Sequence, residues 1–221
     1  MKRFNELWKK SGTVEGWLSK SEAKVLYKLS KGELPEGDII EIGSYKGRST
    51  IFLASDLPEN RKVIAIDTHR GSDEHRKAGP VNTLPDFRQT LKRFNIEDNV
   101  DVVVSDSIEA GSKYSGSAAM IFIDGSHRYE DVKRDTEVWK DHLADNGYIL
   151  LHDTIFWEGP IGAFREEIAA DSDFTVLGRA HSLMYAVKRD SGLTGRIRAR
   201  AVLTARYFYE ILYRIKRKFL Q

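Results

Sequence analysis

The stretch MIFIDGSHRYEDVKRD, residues 120–135, holds an apolar run that stops abruptly on an acid, a glycine, a serine and a histidine. An unalternating apolar run of this length reads as a strand buried on both faces. The residues behind it, YEDVKRDTEVWKDHL at 129–143, read as a helix ending near Asn146-Gly147. A second fragment, YILLHDT at 148–154, repeats the pattern, with an apolar run that again ends on a histidine and an acid. Two doubly buried strands joined through a helix predict a parallel pair inside a covered sheet.

The same alternation extends in both directions. Upstream, DIIEIGS, KVIAIDT and VDVVVSD read as strands. RSTIFLASDL and LPDFRQTLKRF, the latter opened by Pro85, read as helices, and 107–113 as a short segment after the third strand. Downstream, DFTVLG and LMYAVKR, joined by a turn at 180–182, predict an antiparallel pair. Before all of this comes a short N-terminal helix and then SKSEAKVLYKLSKG, with Ala23, Val25, Leu26 and Leu29 at helical spacing, Ser21 as N-cap and Gly32 as stop. The fold class expected is α/β, a doubly wound Rossmann-like sheet closed by a terminal antiparallel hairpin. In such sheets ligands sit beyond the C-terminal strand ends, near the switch in strand order. The polar residues that end the strands therefore lie where chemistry is exposed.

Composition limits that chemistry. The 221 residues suit one main domain, taken here as 1–190 with 1–35 as a helical cap, followed by a tail at 191–221. There is no cysteine, which excludes disulfides, thiolate metal sites and a cysteine nucleophile, and fits a reducing, cytoplasmic setting. The first residues, MKRFNELWKK, are basic without an apolar run behind them and do not read as a signal peptide. The net charge of +2 is unevenly spread. Eight Lys or Arg against one acid give the tail +7 and leave −5 on the rest. A basic tail on an acidic body argues against a nucleic-acid partner.

The turn after the first strand, EIGSYKGRST at 41–50, has glycines at Gly43 and Gly47. It is not the G-x-G-x-x-G dinucleotide pattern, because Tyr45 stands where the second glycine would let the backbone approach a pyrophosphate. Nor is it a phosphate loop. It suits a nucleoside cofactor without phosphates, such as S-adenosylmethionine, or a tight turn with no ligand. Asp67, at the tip of the second strand, can accept hydrogen bonds from ribose hydroxyls or serve as a solvated strand end. Asp106 and Ser107 end the third strand.

On the stretches IIEIGSYKGRSTIFLA, VIAIDTHRG, VVVSDSIEA and IFIDGSHRYEDVKRDTEVWKDHLADNGYILLHD, the chain resembles class I S-adenosylmethionine-dependent methyltransferases. More narrowly it is similar to the methyltransferase 24 group, with its macrocin-type and sugar O-methyltransferases. The I-D-G-x-H-x-Y-x-x-V-x-x-D run is the most specific of these features. The resemblance implies a seven-stranded sheet and cofactor contacts from Glu41, Gly43, Ser44, Tyr45, Gly47 and Ser49, from Asp67, and from Asp106, Ser107 and Asp124. Some relatives hold magnesium through an acid at the Asp124 position and a consecutive acidic pair on the next strand. Here that pair reads His152-Asp153, which would make Asp124, His152 and Asp153 the ligand set. Ser126 stands where several such enzymes carry an acid.

The reaction implied is methyl transfer to a hydroxyl of a sugar, glycan or glycosylated natural product. The acceptor must be held in line with the methyl group and lose a proton. A divalent cation on Asp124 and Asp153 could acidify it, or His127 or His152 could take the proton directly, since histidine titrates near neutrality. His127 is the base chosen, with His152 as a ligand or supporting residue, although a histidine at this place can simply cap the following helix. Other readings are a nicotinamide-dependent oxidoreductase, which Tyr45 argues against, and a non-catalytic cofactor-binding protein at a membrane. Asp135, beside Lys133 and Arg134, reads as part of a solvated helix face. His69, Arg70 and His75 lie in a long loop at 69–85 that reads either as a lid or as plain surface.

The tail, RIRARAVLTARYFYEILYRIKRKFL, reads as one amphipathic helix. Ile197, Ala201, Thr204, Phe208, Ile211, Leu212, Ile215 and Phe219 form its stripe. Arg196, Arg200, Arg214 and Lys218 flank one side of it, Arg198 and Lys216 the other. We expect the helix to pack on its own domain or a second copy; the arrangement also suits peripheral contact with an anionic inner-membrane face.

Overall fold

A computed structural model describes residues 1–71 and 79–219, with side chains described through Tyr213 and at Ile215. Helices α1 (Lys2–Ser11) and α2 (Lys20–Ser30) precede the sheet. Strands and helices then alternate: β1 (Asp38–Ile42), α3 (Arg48–Ala54), β2 (Val63–Ile66), α4 (Leu84–Phe94), β3 (Val100–Val103), α5 (Ser107–Lys113), β4 (Ala118–Ile123), α6 (Tyr129–Lys140) and β5 (Leu143–Leu151). Helix α7 (Glu158–Ala163) continues as a π turn through Phe164–Ala169, ahead of β6 (Phe174–Ala180), β7 (Leu183–Lys188) and α8 (Gly192–Phe219).

The seven strands form one sheet in the order β3-β2-β1-β4-β5-β7-β6. Five are parallel, and β7 pairs antiparallel with both β5 and β6. This is the doubly wound architecture expected. The order reverses between β1 and β4, which places the ligand crevice there. Both sheet faces are covered, as the unalternating strands require. On one face Phe52, Phe87 and Leu26 from the helices meet Ile39, Met120 and Phe122. On the other, Trp139, Ile161 and Phe164 meet Ile40, Ile121 and Ile149. Each such side chain removed from water contributes roughly 1.5–3 kcal/mol.

Backbone bonds carry the ladder one residue past the strand ends. Asp67 N donates to Val103 O, Gly43 N to Ile66 O, Asp124 N to Ile42 O and His152 N to Ile123 O, at 2.8–3.2 Å. Asp67, Gly43, Asp124 and His152 are thereby fixed in one row along the C-terminal edge.

Two local expectations need correction. The cap of α2 is Ser19, not Ser21: Ser19 and Glu22 form a reciprocal capping box, which the spacing S-x-x-E supplies and Ser21 lacks. The helix before β5 stops at Lys140 rather than 143, and β5 starts at Leu143. Asn146, with φ of +64°, and Gly147 belong to an irregularity inside that strand, where Ala118 pairs with Leu143 but Met120 pairs with Tyr148. Helix α7 lies in a segment to which the sequence reading assigned no element.

Candidate active site

The strand-tip row floors a cavity of about 1240 Å³, walled by 15–19, the turns after β1, β2, β3 and β4, and the segment after β5. At Gly43 the backbone has φ +87°, and a Cβ would stand 2.3 Å from Asp124 O. Only glycine lets β1 leave the sheet this close to β4. Tyr45 is also left-handed, at φ +47°, held there because its N–H donates to Asp67 Oδ2 at 2.7 Å. The other Asp67 oxygen accepts from His69 N, also at 2.7 Å. At Gly47, φ +90°, a Cβ would press on Phe87 and Thr90 at 3.1 Å.

The predicted cofactor residues separate into two sets. Gly43, Ser44, Tyr45, Ser49, Asp67, Asp106, Ser107 and Asp124 line the cavity. Glu41 is fully buried beneath it and accepts from Ser49 Oγ at 2.5 Å and Thr50 Oγ1 at 2.6 Å, pinning the first turn of α3. Burial raises its carboxyl to about 7 against those two bonds. Gly47 does not reach the lining. Ser44 Oγ is buried among the lining residues without a hydrogen-bond partner among the described residues. A buried hydroxyl without a protein partner is normally satisfied by water or a ligand, which fits a polar ligand such as the expected nucleoside.

Past β3, Asp106 spends one carboxylate oxygen on the N–H groups of Ile108 and Glu109, capping α5. Ser107 Oγ donates to Asp135. Asp135 is therefore not on a solvated face: it is 6% exposed and lines the cavity, and burial raises its carboxyl to about 7 despite the Ser107 bond. Its neighbour Lys133 turns instead to Glu166 and Glu167, at 3.2 and 3.8 Å, while the exposed Arg134 also lines the cavity.

The four residues singled out at the ends of β4 and β5 do come together. Ligand atoms of Asp124, His152 and Asp153 lie within 4.8 Å of one another. His152 Nδ1 is 2.9 Å from Asp124 Oδ1 and 3.4 Å from Asp153 Oδ2, while its Nε2 faces Glu22 Oε1 at 3.4 Å. Burial opposes a charge on this ring, but the Asp124 charge and hydrogen bonds with Asp124, Asp153 and Glu22 outweigh it and hold its pKa well above the usual histidine value. Asp153 also meets His127 Nε2 at 3.0 Å. Burial works against the Asp153 carboxylate, yet hydrogen bonds from His127 and His152 depress its pKa below the ordinary range. The His127 ring stacks on Trp157 at 4.3 Å, and its Nδ1 has no partner among the described residues.

Sequence reasoning missed the supports of this cluster. Glu22 arrives from α2. One oxygen completes the capping box, and the other accepts from Ser182 N at 2.8 Å and Oγ at 2.6 Å, between β6 and β7. Trp157 and Phe156 come from the segment after β5, and Gly159 lets α7 approach so closely that a Cβ would be 2.1 Å from His127 O. Phe156 meets Tyr213 of α8 at 4.9 Å and His181 at 5.5 Å, closing an aromatic wall. Of the long loop, His69 is buried at its base against Thr83 (2.9 Å) and Phe87, whereas His75 lies outside the described residues.

This strand order, with its cofactor-type turn at the β1/β4 switch point, defines the class I S-adenosylmethionine-dependent methyltransferase fold. A family model described as a methyltransferase domain, that of the methyltransferase 24 group, matches residues 40–154, and the chain belongs to this family. Over 128 residues it is 27% identical to a probable caffeoyl-CoA O-methyltransferase from Arabidopsis thaliana, covering 55% of this chain and 49% of that one. The chain thus matches about half the length of that relative. Among solved structures, the O-methyltransferase NovP superposes with a TM-score of 0.68 at 16% identity, covering 78% of this chain and 81% of that one. TomG of Streptomyces achromogenes, an O-methyltransferase of tomaymycin synthesis solved with S-adenosylmethionine, gives 0.58 at 15% identity, covering 85% and 88%.

Proposed function

We propose that the chain transfers the methyl group of S-adenosylmethionine to a hydroxyl of a sugar, glycan or glycosylated natural product. The observation that carries this reading is one cavity shared by the cofactor-type turn and a titratable cluster. Its lining brings the β1 turn, with Ser44 and Asp67, together with the Asp124, His127, His152 and Asp153 cluster and the aromatic residues Phe156, Trp157 and Tyr213. Such an arrangement binds a nucleoside and presents a second molecule to it.

His127 is the group that takes the acceptor's proton. Asp153 holds its Nε2 and Trp157 fixes the ring plane. His152, with both nitrogens turned to carboxylates, has no lone pair to offer and acts as a fixed cation that keeps Asp124 and Asp153 in place. The carboxylate oxygens of Asp124 and Asp153 suit a hard divalent cation such as magnesium, which takes one or two carboxylates and completes its shell with water and substrate. Bound there, such a cation would acidify the acceptor hydroxyl. The wall of Phe156, Trp157, His181 and Tyr213 offers flat apolar surface to a ring-shaped acceptor.

The test is mass spectrometry of a glycan extract incubated with protein and S-adenosylmethionine. A gain of one methyl group on a sugar-bearing species is the expected result. Methylation confined to small phenolic acceptors, with glycans unchanged, would overturn the acceptor class.

A further inference from the structure

Helix α8 has two working faces, and only one is used inside the molecule. Ala199 and Arg206 are buried against the domain, with Val202, Leu203 and Glu210 half-buried beside them. Arg206 donates to the carbonyls of Thr154 and Ile155 at 2.9 and 3.3 Å and pairs with Glu210 at 2.9 Å. At 100° per residue this face lies diametrically opposite the apolar stripe read from the sequence. The helix thus packs on its own domain through a face that the apolar stripe does not mark. The stripe projects to solvent: Ile197 is 62% exposed, Phe208 59% and Leu212 65%.

We propose that this outer face is a docking surface for an anionic lipid bilayer, on which the helix lies in the plane of the headgroups. Two observations favour a bilayer over a second copy of the chain, and a third sets the mode of contact. The stripe is flanked by the exposed Arg196 and Arg200. The segment 191–221 carries +7 against −5 on the body, so two copies meeting through it would oppose like charges, whereas anionic lipid neutralises them. Among the described residues no helix is long and apolar enough to cross a membrane, which leaves the surface-lying mode for this apolar face. The inner face carries Tyr213 in the cavity wall, so the bilayer would stand about one helix diameter, roughly 10 Å, from that wall. This inference stands on the helix alone and does not depend on the reaction proposed above.

The test is flotation of the full chain with phosphatidylglycerol-rich vesicles and with pure phosphatidylcholine vesicles. The intact protein is expected to float with the anionic vesicles, to stay behind with the neutral ones, and to be released as salt is raised. An Ile197→Asp/Phe208→Asp double variant should bind at least tenfold less at an unchanged thermal midpoint, since neither side chain enters the core. Because the chain has no cysteine, Phe208→Cys carrying an environment-sensitive dye gives a second readout: its emission should shift to the blue on anionic vesicles. Equal flotation of intact and double-variant protein, or an unshifted dye, overturns the proposal. So does an intact protein that ignores vesicles but runs as a dimer that the double variant dissociates.

Discussion

Glu22 Oε1 lies 3.4 Å from His152 Nε2, so a residue of the N-terminal cap closes the charge cluster at the tip of β5. Both groups are almost wholly withdrawn from water, at 1% and 3% side-chain exposure. A buried carboxylate and imidazolium tolerate this only as a pair, and the hydrogen bonds from Ser182 and Ser19 complete the compensation. Helix α2 is thereby tied to the active-site edge.

Breaking that tie should be costly. Removing one member of a buried pair destabilises by about 3–5 kcal/mol, and Glu22→Ala is expected to fall in that range by denaturant unfolding, with the capping box lost as well. Burial works against the Glu22 carboxylate, but the His152, Ser182 and Ser19 bonds lower its pKa to about 2 from an ordinary 4.5. A depressed folded-state pKa contributes stability that is present above pH 4.5 and lost as pH falls through about 2. The acid limb of the stability profile should flatten in that window in Glu22→Gln.

Asp135 titrates in the other direction. Burial raises its carboxyl from 3.8 to about 7, so its contribution is fully present below about pH 4 and is lost as pH rises through 7. The thermal midpoint of the protein should decline across that interval. Asp135→Asn, neutral throughout, should show a smaller decline; an unchanged slope would remove Asp135 as its source.

If His127 is the base, His127→Ala should lower kcat by about a hundred- to ten-thousand-fold with little change in cofactor affinity. Chelation with EDTA should also depress turnover, and magnesium should restore it through Asp124 and Asp153. Full turnover in chelator would leave the proton transfer to His127 alone.

Gly159→Ala should damage the same residue from behind. The added methyl would collide with His127 O at 2.1 Å, a backbone atom that cannot swing aside. The expected result is a kcat loss comparable to that of His127→Ala, together with lost His127–Trp157 stacking visible as a change in tryptophan fluorescence.

The sheet was legible because its strands are unalternating apolar runs that end on charged residues, a pattern set by burial on both faces. Asp67, Asp124 and the His152-Asp153 pair were legible for the same reason, as the polar positions that end those runs, and Gly43 as the glycine that turns the chain after β1. Glu22 was not, because S-x-x-E explains one of its oxygens locally, and the task of the other depends on how α2 packs near the β6–β7 turn. Asp135 was hidden by Lys133 and Arg134, whose charges suggest a solvated face that the buried Asp135 does not share. Trp157 and Gly159 sit in a segment without periodicity. The tail shows the converse: its stripe was read correctly, but the face that packs is marked by Ala199 and Arg206, small and charged residues that no apolar pattern picks out.

The central claim is that the cavity at the β1/β4 switch point holds S-adenosylmethionine. Calorimetric titration of the purified chain with this donor tests it most directly, alongside Ser44→Ala and Asp67→Ala. One binding site per chain, weakened at least tenfold by Asp67→Ala, is the predicted result. No heat of binding at saturating donor, or binding that neither substitution alters, would contradict it.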